Sequence, residues 1–522
     1  MKKNILIVGN ILVFAVLSVL MPSCSENAMD EVNRDVDHTK DVPAKFILAD
    51  VMTATAFSNT GGDMNTYTSA YVEHEVGVHN QLFRAEHREG EPTSATTFNN
   101  VWVNLYSTLK NARIAITKCS EGGSQEGNLV TKGIAEILAA YNGALLTDMF
   151  GDVPFSEAAV VKEDGSPAVM TPKIDTQEEV YKGILQYLDD AISDLQGTDA
   201  VGGIGSYDFI YQGNASKWIK FAYGLKARYT MRLLKRASNA NAELEKVLDY
   251  VSRSFASADE QAAFAIYDAS QYNPLFDFQW SRDGLASSES LAEKLIERND
   301  PRIRRAFVDA DWMQMTGTDD EAWFPAPNGE SEQAQYYYNT SAFVYSQTAP
   351  TLLLSYHEIL FLQAEALCRL NRASEAEDVL KEAVIAGIAN TEVNVQAAMT
   401  APTPMNYGGL GETTDAITPE EAAAYFDDDV KPLFTANPLK ETLIQKYLAF
   451  FGASGESTEC YSDIRRQIGL GENHITLKNP NRFPLRCPYG NSDTTTNPAV
   501  KDAYGNGQYV YTEAVWWAGG SR

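Results

Sequence analysis

Apolar residues recur every three or four positions through much of the chain, and the clearest runs come as paired helices. Ile134, Ile137, Leu138, Tyr141 and Leu145 share one helical face that stops at Phe150-Gly151. Thr176 and Glu179 fit a capping box, after which Tyr181, Ile184, Leu185, Leu188, Ile192 and Leu195 continue one stripe to Gly197. Trp218, Phe221, Ala222, Leu225, Tyr229 and Leu233 form the next stripe, and the Gly-rich 197–213 stretch between the two predicts a hairpin. A second pair is carried by Tyr356, Ile359, Leu360, Ala364 and Leu367, followed after Asn371 by Val379, Leu380 and Ala383. Ser374-Glu375-Ala376-Glu377 predicts a capping box for that second helix, and Leu443, Ile444, Tyr447 and Leu448 predict another helix later. Short antiparallel pairs with alanines at the crossing are the units of tetratricopeptide-like repeats, each burying its face only against a neighbour. The full consensus is absent, so these read as degenerate repeats.

Between the helices lie the segments 263–345, 400–440 and 471–522, rich in Gly, Pro, Asn and aromatics and read as irregular. Irregular stretches of that length in a compact domain carry function. No Pro- or Ser-rich linker separates independent halves, which predicts one large, mainly α domain.

The N-terminus breaks the pattern. Lys2 and Lys3 precede an apolar run from Ile5 to Met21, and Pro22-Ser23-Cys24 follows. This charged, apolar, small-residue order predicts a secretory signal, too short for a membrane span. Met21-Pro22-Ser23-Cys24 resembles a bacterial lipobox, which implies lipidation of Cys24. Residues 1–23 are then the signal peptide, 24–45 an acidic tether containing Glu26, Asp30, Glu31, Asp35 and Asp37, and 46–522 the binding domain.

Composition narrows the function classes. The 522 residues carry 42 Lys plus Arg against 70 Asp plus Glu, a formal charge of −28, with 44% hydrophobic residues. That excludes a disordered chain and argues against a general nucleic-acid binder, since phosphate contacts need clustered basic residues. Net charge also leans slightly against strongly acidic polysaccharides. Cys119, Cys368, Cys460 and Cys487 are too widely spaced for a disulfide framework or a metal site; Cys368 sits in a helical apolar pattern and reads as core filler.

The candidate chemistry is mostly negative. His74-Glu75-Val76-Gly77-Val78-His79 lacks the four-residue histidine spacing of a zinc protease helix and reads as a polar face or loop. Gly213-Asn214-Ala215-Ser216-Lys217 is not a Walker loop, and Gly452-Ala453-Ser454-Gly455 falls one residue short of a nucleophile elbow. Asp427-Asp428-Asp429 reads as a solvated acidic loop. No metal site, cofactor or catalytic group is therefore assigned. What remains is a surplus of aromatics in the irregular segments, including Phe276, Phe278, Trp280, Phe324 and Tyr345. Such rings suit a sugar's C–H face or a peptide side chain. The densest group, Trp312, Trp323, Tyr336, Tyr337 and Tyr338, is the candidate ligand surface, nominated on composition and placement alone.

Several ordered motifs then make the chain resemble the SusD/RagB family of nutrient-binding outer-membrane lipoproteins. They are the Cys24 lipobox; Val101-Trp102 with Leu105-Tyr106; Asp148-Met149-Phe150-Gly151-Asp152-Val153-Pro154-Phe155; and Asn273-Pro274-Leu275-Phe276. Asp300-Pro301-Arg302, the run from Ser355 to Ala366, Gly387-Ile388, Gln445-Lys446-Tyr447, Asp463-Ile464-Arg465-Arg466 and Asn481-Arg482-Phe483-Pro484 follow in order, with Asn497 downstream. The resemblance implies a mainly α, SusD-like fold with tetratricopeptide-like units on one side and a loop-rich ligand-binding half on the other. It further implies a lipid-anchored, surface-exposed lid on a SusC-like TonB-dependent β-barrel transporter, capturing oligosaccharides or oligopeptides without chemistry of its own. Gly151, Pro154, Glu358, Glu365, Arg465 and Arg466 are read as structural. The residues alone leave two other classes open: a surface glycoside hydrolase with an undetected carboxylate pair, and a helical-repeat scaffold without a ligand.

Overall fold

The computed structural model describes residues 41–89, 93–162, 165–309, 323–411 and 414–522. In chain order these form α1 (Ala44–Thr53), α2 (Asp63–Tyr71), β1 (Glu75–Gly77), α3 (Asn80–His87), α4 (Thr97–Cys119), α5 (Leu129–Phe150), α6 (Gln177–Asp194), α7 (Ala215–Arg232) and α8 (Ala240–Ser252). An irregular middle follows, with β2 (Ala262–Phe264), α9 (Pro274–Arg282), β3 (Leu285–Ser287), α10 (Glu289–Ile296), β4 (Phe307–Val308), β5 (Thr340–Ser341) and β6 (Thr351–Leu354). Helices resume as α11 (Tyr356–Arg369), α12 (Ala373–Met399), α13 (Pro438–Ala449) and α14 (Ser457–Leu470). The strands form three two-stranded antiparallel ladders, β1 with β3, β2 with β6 and β4 with β5. The fold is mainly α, and Ala44–Arg522 is one compact unit.

Helix pairing follows the apolar stripes. The most extensive contacts join α4 to α5, α5 to α6, α7 to α8 and α11 to α12. The predicted hairpin of α6 with α7 exists as a contact, but α6 packs mainly on α5. The reason is that α5 is apolar nearly all round and needs a partner on every side. Among the described residues α5 is the one helix long and apolar enough to span a membrane, but 83% of its most apolar 18-residue stretch is buried inside the protein, as a core helix should be.

Helix ends show where local signals act. The Thr176 capping box forms: the Glu179 N–H donates to Thr176 Oγ1 at 3.3 Å and the Thr176 N–H to Glu179 Oε2 at 3.0 Å. The box expected at Ser374 does not. α12 has its N-cap at Arg372, two residues before Ser374, without a side-chain cap, and the Arg372 guanidinium grips Glu375 instead. α5 stops at Gly151, whose φ is +81° and where a Cβ would lie 2.6 Å from the Arg486 guanidinium that caps Phe150 O. The 400–440 segment, expected to be irregular, is largely helical, with helices at Pro402–Met405, Pro419–Tyr425 and Lys431–Ala436. The Asp427–Asp429 run lies in a π-helical turn, where Asp427 pairs with Lys381 at 2.6 Å and Asp429 accepts from Asn299.

The charged motif residues are framework. Arg228 binds Glu358 at 2.7 Å, and Arg466 and Arg369 both bind Glu365, at 2.6 Å and 2.7 Å. Lys446 and Arg466 share Asp463, and Arg465 donates to Asp148 O while lying over Tyr461 and Trp517. All four cysteines are free; Cys368 is half-buried, more open than a filler residue, because its Sγ faces Thr442 at the edge of α11.

Candidate ligand-binding site

Two recesses form beside the helices that flank β3 in the chain, α9 and α10. On the α9 side lies a cavity of about 600 Å3, walled by Asp63 and Tyr67 of α2, His79 to Arg84 around the start of α3, the 95–100 segment, and Phe278, Arg282 and Gly284. It continues into a smaller apolar chamber of about 270 Å3 where Tyr71, Phe98 and Tyr511 meet. Tyr67, Gln81, Arg84 and Thr96 line both, so the two are one groove.

Backbone geometry sets its walls. Asn80 (φ 50°) and Asp283 (φ 45°) take the left-handed conformation that Asn and Asp tolerate best, starting α3 and ending α9 at the groove edge. Tyr67 Oη donates to Gln81 Oε1 at 3.1 Å, and Thr97 Oγ1 donates to the same oxygen at 3.2 Å. Burial lifts the Asp63 carboxyl above its ordinary range, opposed by a hydrogen bond from Asn100 and by the charge of Arg282. Arg282 also covers the Phe278 ring at 5.2 Å. The guanidinium groups of Arg84 and Arg282 stand against the acids Asp63 and Glu89, so the groove is locally balanced within an acidic chain.

The second recess, about 610 Å3, lies over α10. Trp323, Tyr337 and Tyr338 converge there with Phe324, Pro325 and Pro327, facing Glu289, Ala292, Glu293 and Ile296 of α10, with Glu330 and Glu332 completing the walls. Phe324 stacks on Tyr338 at 5.1 Å and meets Tyr337 edge-on at 5.3 Å. Tyr338 is 4% exposed and packs with Val76, Val78, Ala286 and Ala326, so it is the floor. Phe324 and Tyr337, 47% and 52% exposed, are the rings open to solvent. Trp323 is anchored edge-on to the core residue Phe307 at 5.2 Å.

The nominated residues thus divide. Trp323, Tyr337 and Tyr338 share the second recess, while Tyr336 turns away and donates to the Asp283 carboxylate beside the groove. Trp312 and Cys24 lie outside the described residues. The groove residues Asp63, Arg84, Asn100 and Arg282 were missed by sequence reasoning, since they carry no motif and come from four separate segments. His79 does line the groove, although its motif was set aside. His74, read as part of a polar face or loop, is buried instead: its Nε2 donates to Tyr447 O at 3.0 Å, so Nδ1 accepts from Ser457 Oγ at 2.9 Å. Burial holds this imidazole down to about 3, hence neutral. Among the described residues no cluster of three or more His, Cys, Asp or Glu is placed to hold a metal ion.

Comparison with known proteins adds the following. The SusD-like family model, described as starch-binding and associating with the outer membrane, matches residues 37–489. A SusD/RagB family protein from Bacteroides thetaiotaomicron is 57% identical, with 92% of this chain and 100% of that chain covered at a TM-score of 0.87. A SusD homolog from Bacteroides fragilis (20% identity; 91% of this chain and 100% of that chain covered; TM-score 0.68) shares the fold. So does a chitin-binding SusD homolog from Flavobacterium johnsoniae (18% identity; 91% and 98% covered; TM-score 0.65). No curated protein matches the chain.

Proposed function

Starting from the fact that the chain belongs to the SusD-like family, a family of starch-binding proteins associated with the outer membrane, we propose that it captures oligosaccharides at the cell surface and passes them to a SusC-like TonB-dependent transporter. The observation that carries this reading is the groove between α2, α3 and α9, which joins an aromatic chamber to a polar one. A sugar chain needs both. Its C–H groups meet the apolar chamber floored by the buried rings of Tyr71, Phe98 and Tyr511, and its hydroxyls take hydrogen bonds from amides and guanidinium groups such as those of Asn100, Arg84 and Arg282. Trp323, Tyr337 and Tyr338 supply a second aromatic surface across β3. The protein binds and delivers; it does not cleave.

The rest of the proposal rests on sequence. Residues 1–23 are removed, acyl chains on Cys24 hold the protein to the outer membrane, and 24–45 tether the domain at 46–522. Cys24→Ser, followed by membrane fractionation, checks the anchor: the variant should appear in the soluble fraction.

Ligand capture is tested by calorimetric titration of the mature polypeptide from Ser25 against neutral and acidic oligosaccharides and mixed oligopeptides, with product analysis. An oligosaccharide should bind intact, and Arg84→Ala or Asn100→Ala should weaken it about tenfold, or about 1.4 kcal/mol. Breakdown products would make the protein an enzyme, and exclusive peptide binding would move it to peptide import. Unchanged affinity in both variants would remove the groove as the site.

A further inference from the structure

The two recesses differ in charge balance, the groove setting two guanidinium groups against two acids and the recess over α10 having acids alone, and that difference carries an inference resting on the oligosaccharide-binding reading above. We propose that the recess over α10 is a second ligand site, selective for sugars that carry a protonated amine.

Four carboxylates line this recess, from Glu289, Glu293, Glu330 and Glu332, and no Lys, Arg or His side chain is among its walls. At one edge the wall already holds an ammonium: Lys478 pairs with Glu289 at 3.4 Å and with Glu293 at 2.5 Å. Among the described residues Glu330 and Glu332 make no ion pair, so their side of the recess keeps uncompensated negative charge. The acids share the recess with the solvent-open rings of Phe324 and Tyr337, set edge to face. The face of an aromatic ring carries partial negative charge, so it attracts a cation as well as an apolar C–H surface. The recess therefore combines two features rarely needed together by a neutral glucan: rings for a pyranose face and a carboxylate surplus for a positive substituent.

The shape favours a sugar over a basic peptide. One common mode of peptide capture adds an extended segment to a strand edge. No strand lines this recess; its walls are α10 and the irregular 323–338 segment with two prolines. The groove, where Arg84 and Arg282 offset Asp63 and Glu89, has no such carboxylate surplus, so an amino sugar should choose the α10 recess and a neutral glucan the groove.

The test compares glucosamine oligosaccharides with N-acetylated oligomers of equal length and linkage, by calorimetry on the mature polypeptide, at low and high salt. The free-amine oligomer should bind at least tenfold more tightly, and its advantage should shrink with salt. The double change Glu330→Gln with Glu332→Gln, at exposed positions where folding is not at stake, should abolish the preference, whereas Glu121→Gln, at an exposed acid outside both recesses, should leave it intact. Equal or tighter binding of the acetylated oligomer overturns the inference, as does a preference that survives the double change. A lysine-containing oligopeptide that outcompetes the glucosamine oligomer at this recess also overturns it. If neutral glucan binds and responds to Arg84→Ala while the amine gives no advantage, only this inference fails; if no oligosaccharide of any kind binds, the oligosaccharide reading fails first.

Discussion

At the residue scale, the buried acids of the 73–88 segment decide how stability depends on pH. The Glu75 carboxyl is buried with one oxygen accepting from Ser341 Oγ at 2.5 Å and the other without a partner, and burial pushes it up to about 8. An unfolded glutamate ionises near about 4.3. Below that value both states hold the proton and Glu75 costs nothing. Between about 4.3 and 8 the unfolded chain ionises while the folded one does not, so stability falls as pH rises across this window. Glu75→Gln keeps the shape and cannot ionise. Its thermal midpoint, relative to the parent, should be lowest near pH 4.5 and rise steadily toward pH 8.5; a difference that stays flat across that range would refute the assignment. His74, held neutral by burial, acts in the opposite window: its contribution is present above its unfolded value and is lost as pH falls toward about 3.

At the element scale, the helices are held by charges between them as well as by their apolar stripes. Glu365 on α11 receives both Arg466 from α14 and Arg369 from its own helix, all largely withdrawn from water. Removing one member of such a group strands the others, which costs about 3–5 kcal/mol. Glu365→Ala should therefore lower the denaturation midpoint strongly, while Glu365→Gln, which retains hydrogen bonding, should cost less; equal small effects would show that the apolar core alone sets stability. The long helices and the Thr176 cap were legible because periodicity and capping are local. The start of α12 was not, because the ion pair of Arg372 with Glu375 offers the helix N-terminus an alternative to a serine cap. The 419–436 helices were also hidden. Pro419 and Pro432 read as breakers, yet each sits in the first turn of its helix, where a missing N–H costs nothing, and Thr418 caps Glu421 N–H at 3.2 Å. Resemblance to a family supplied the rest of the fold, since the order of weak motifs carries what no single one does.

At the scale of the whole molecule, the candidate site was only half legible, for a physical reason. Aromatic crowding at 323–338 marks a surface from composition alone, and three of those side chains do meet over α10. The groove is assembled from residues near 63–100, 278–284 and 511, each ordinary in its own segment, and only folding brings Arg84, Asn100 and Arg282 to one cavity. Two side chains of the aromatic segment reach the corner beside the groove. Tyr336, itself in the left-handed conformation, donates its hydroxyl to Asp283, and Gln335 Nε2 donates to Arg282 O at 2.9 Å. The aromatic segment is thereby fastened to the corner that carries the Arg282 wall of the groove. The carboxylate of Asp283 holds the phenol proton, pushing Tyr336 up to about 12, so this fastening persists at neutral pH. Tyr336→Phe removes the hydrogen bond while keeping the ring. Losing a hydrogen bond to a charged acceptor costs about 1.5–3 kcal/mol at most, and less at an exposed position. The expected outcome is a loss of about two- to fivefold in affinity at both recesses, measured by titration with a neutral glucan and with a glucosamine oligomer. Tyr337→Ala, by contrast, should weaken only the ligand of the α10 recess. If Tyr336→Phe leaves both affinities unchanged, the two recesses act as independent sites on a shared frame; if it weakens both, the 323–338 segment is the element through which filling one recess is felt at the other.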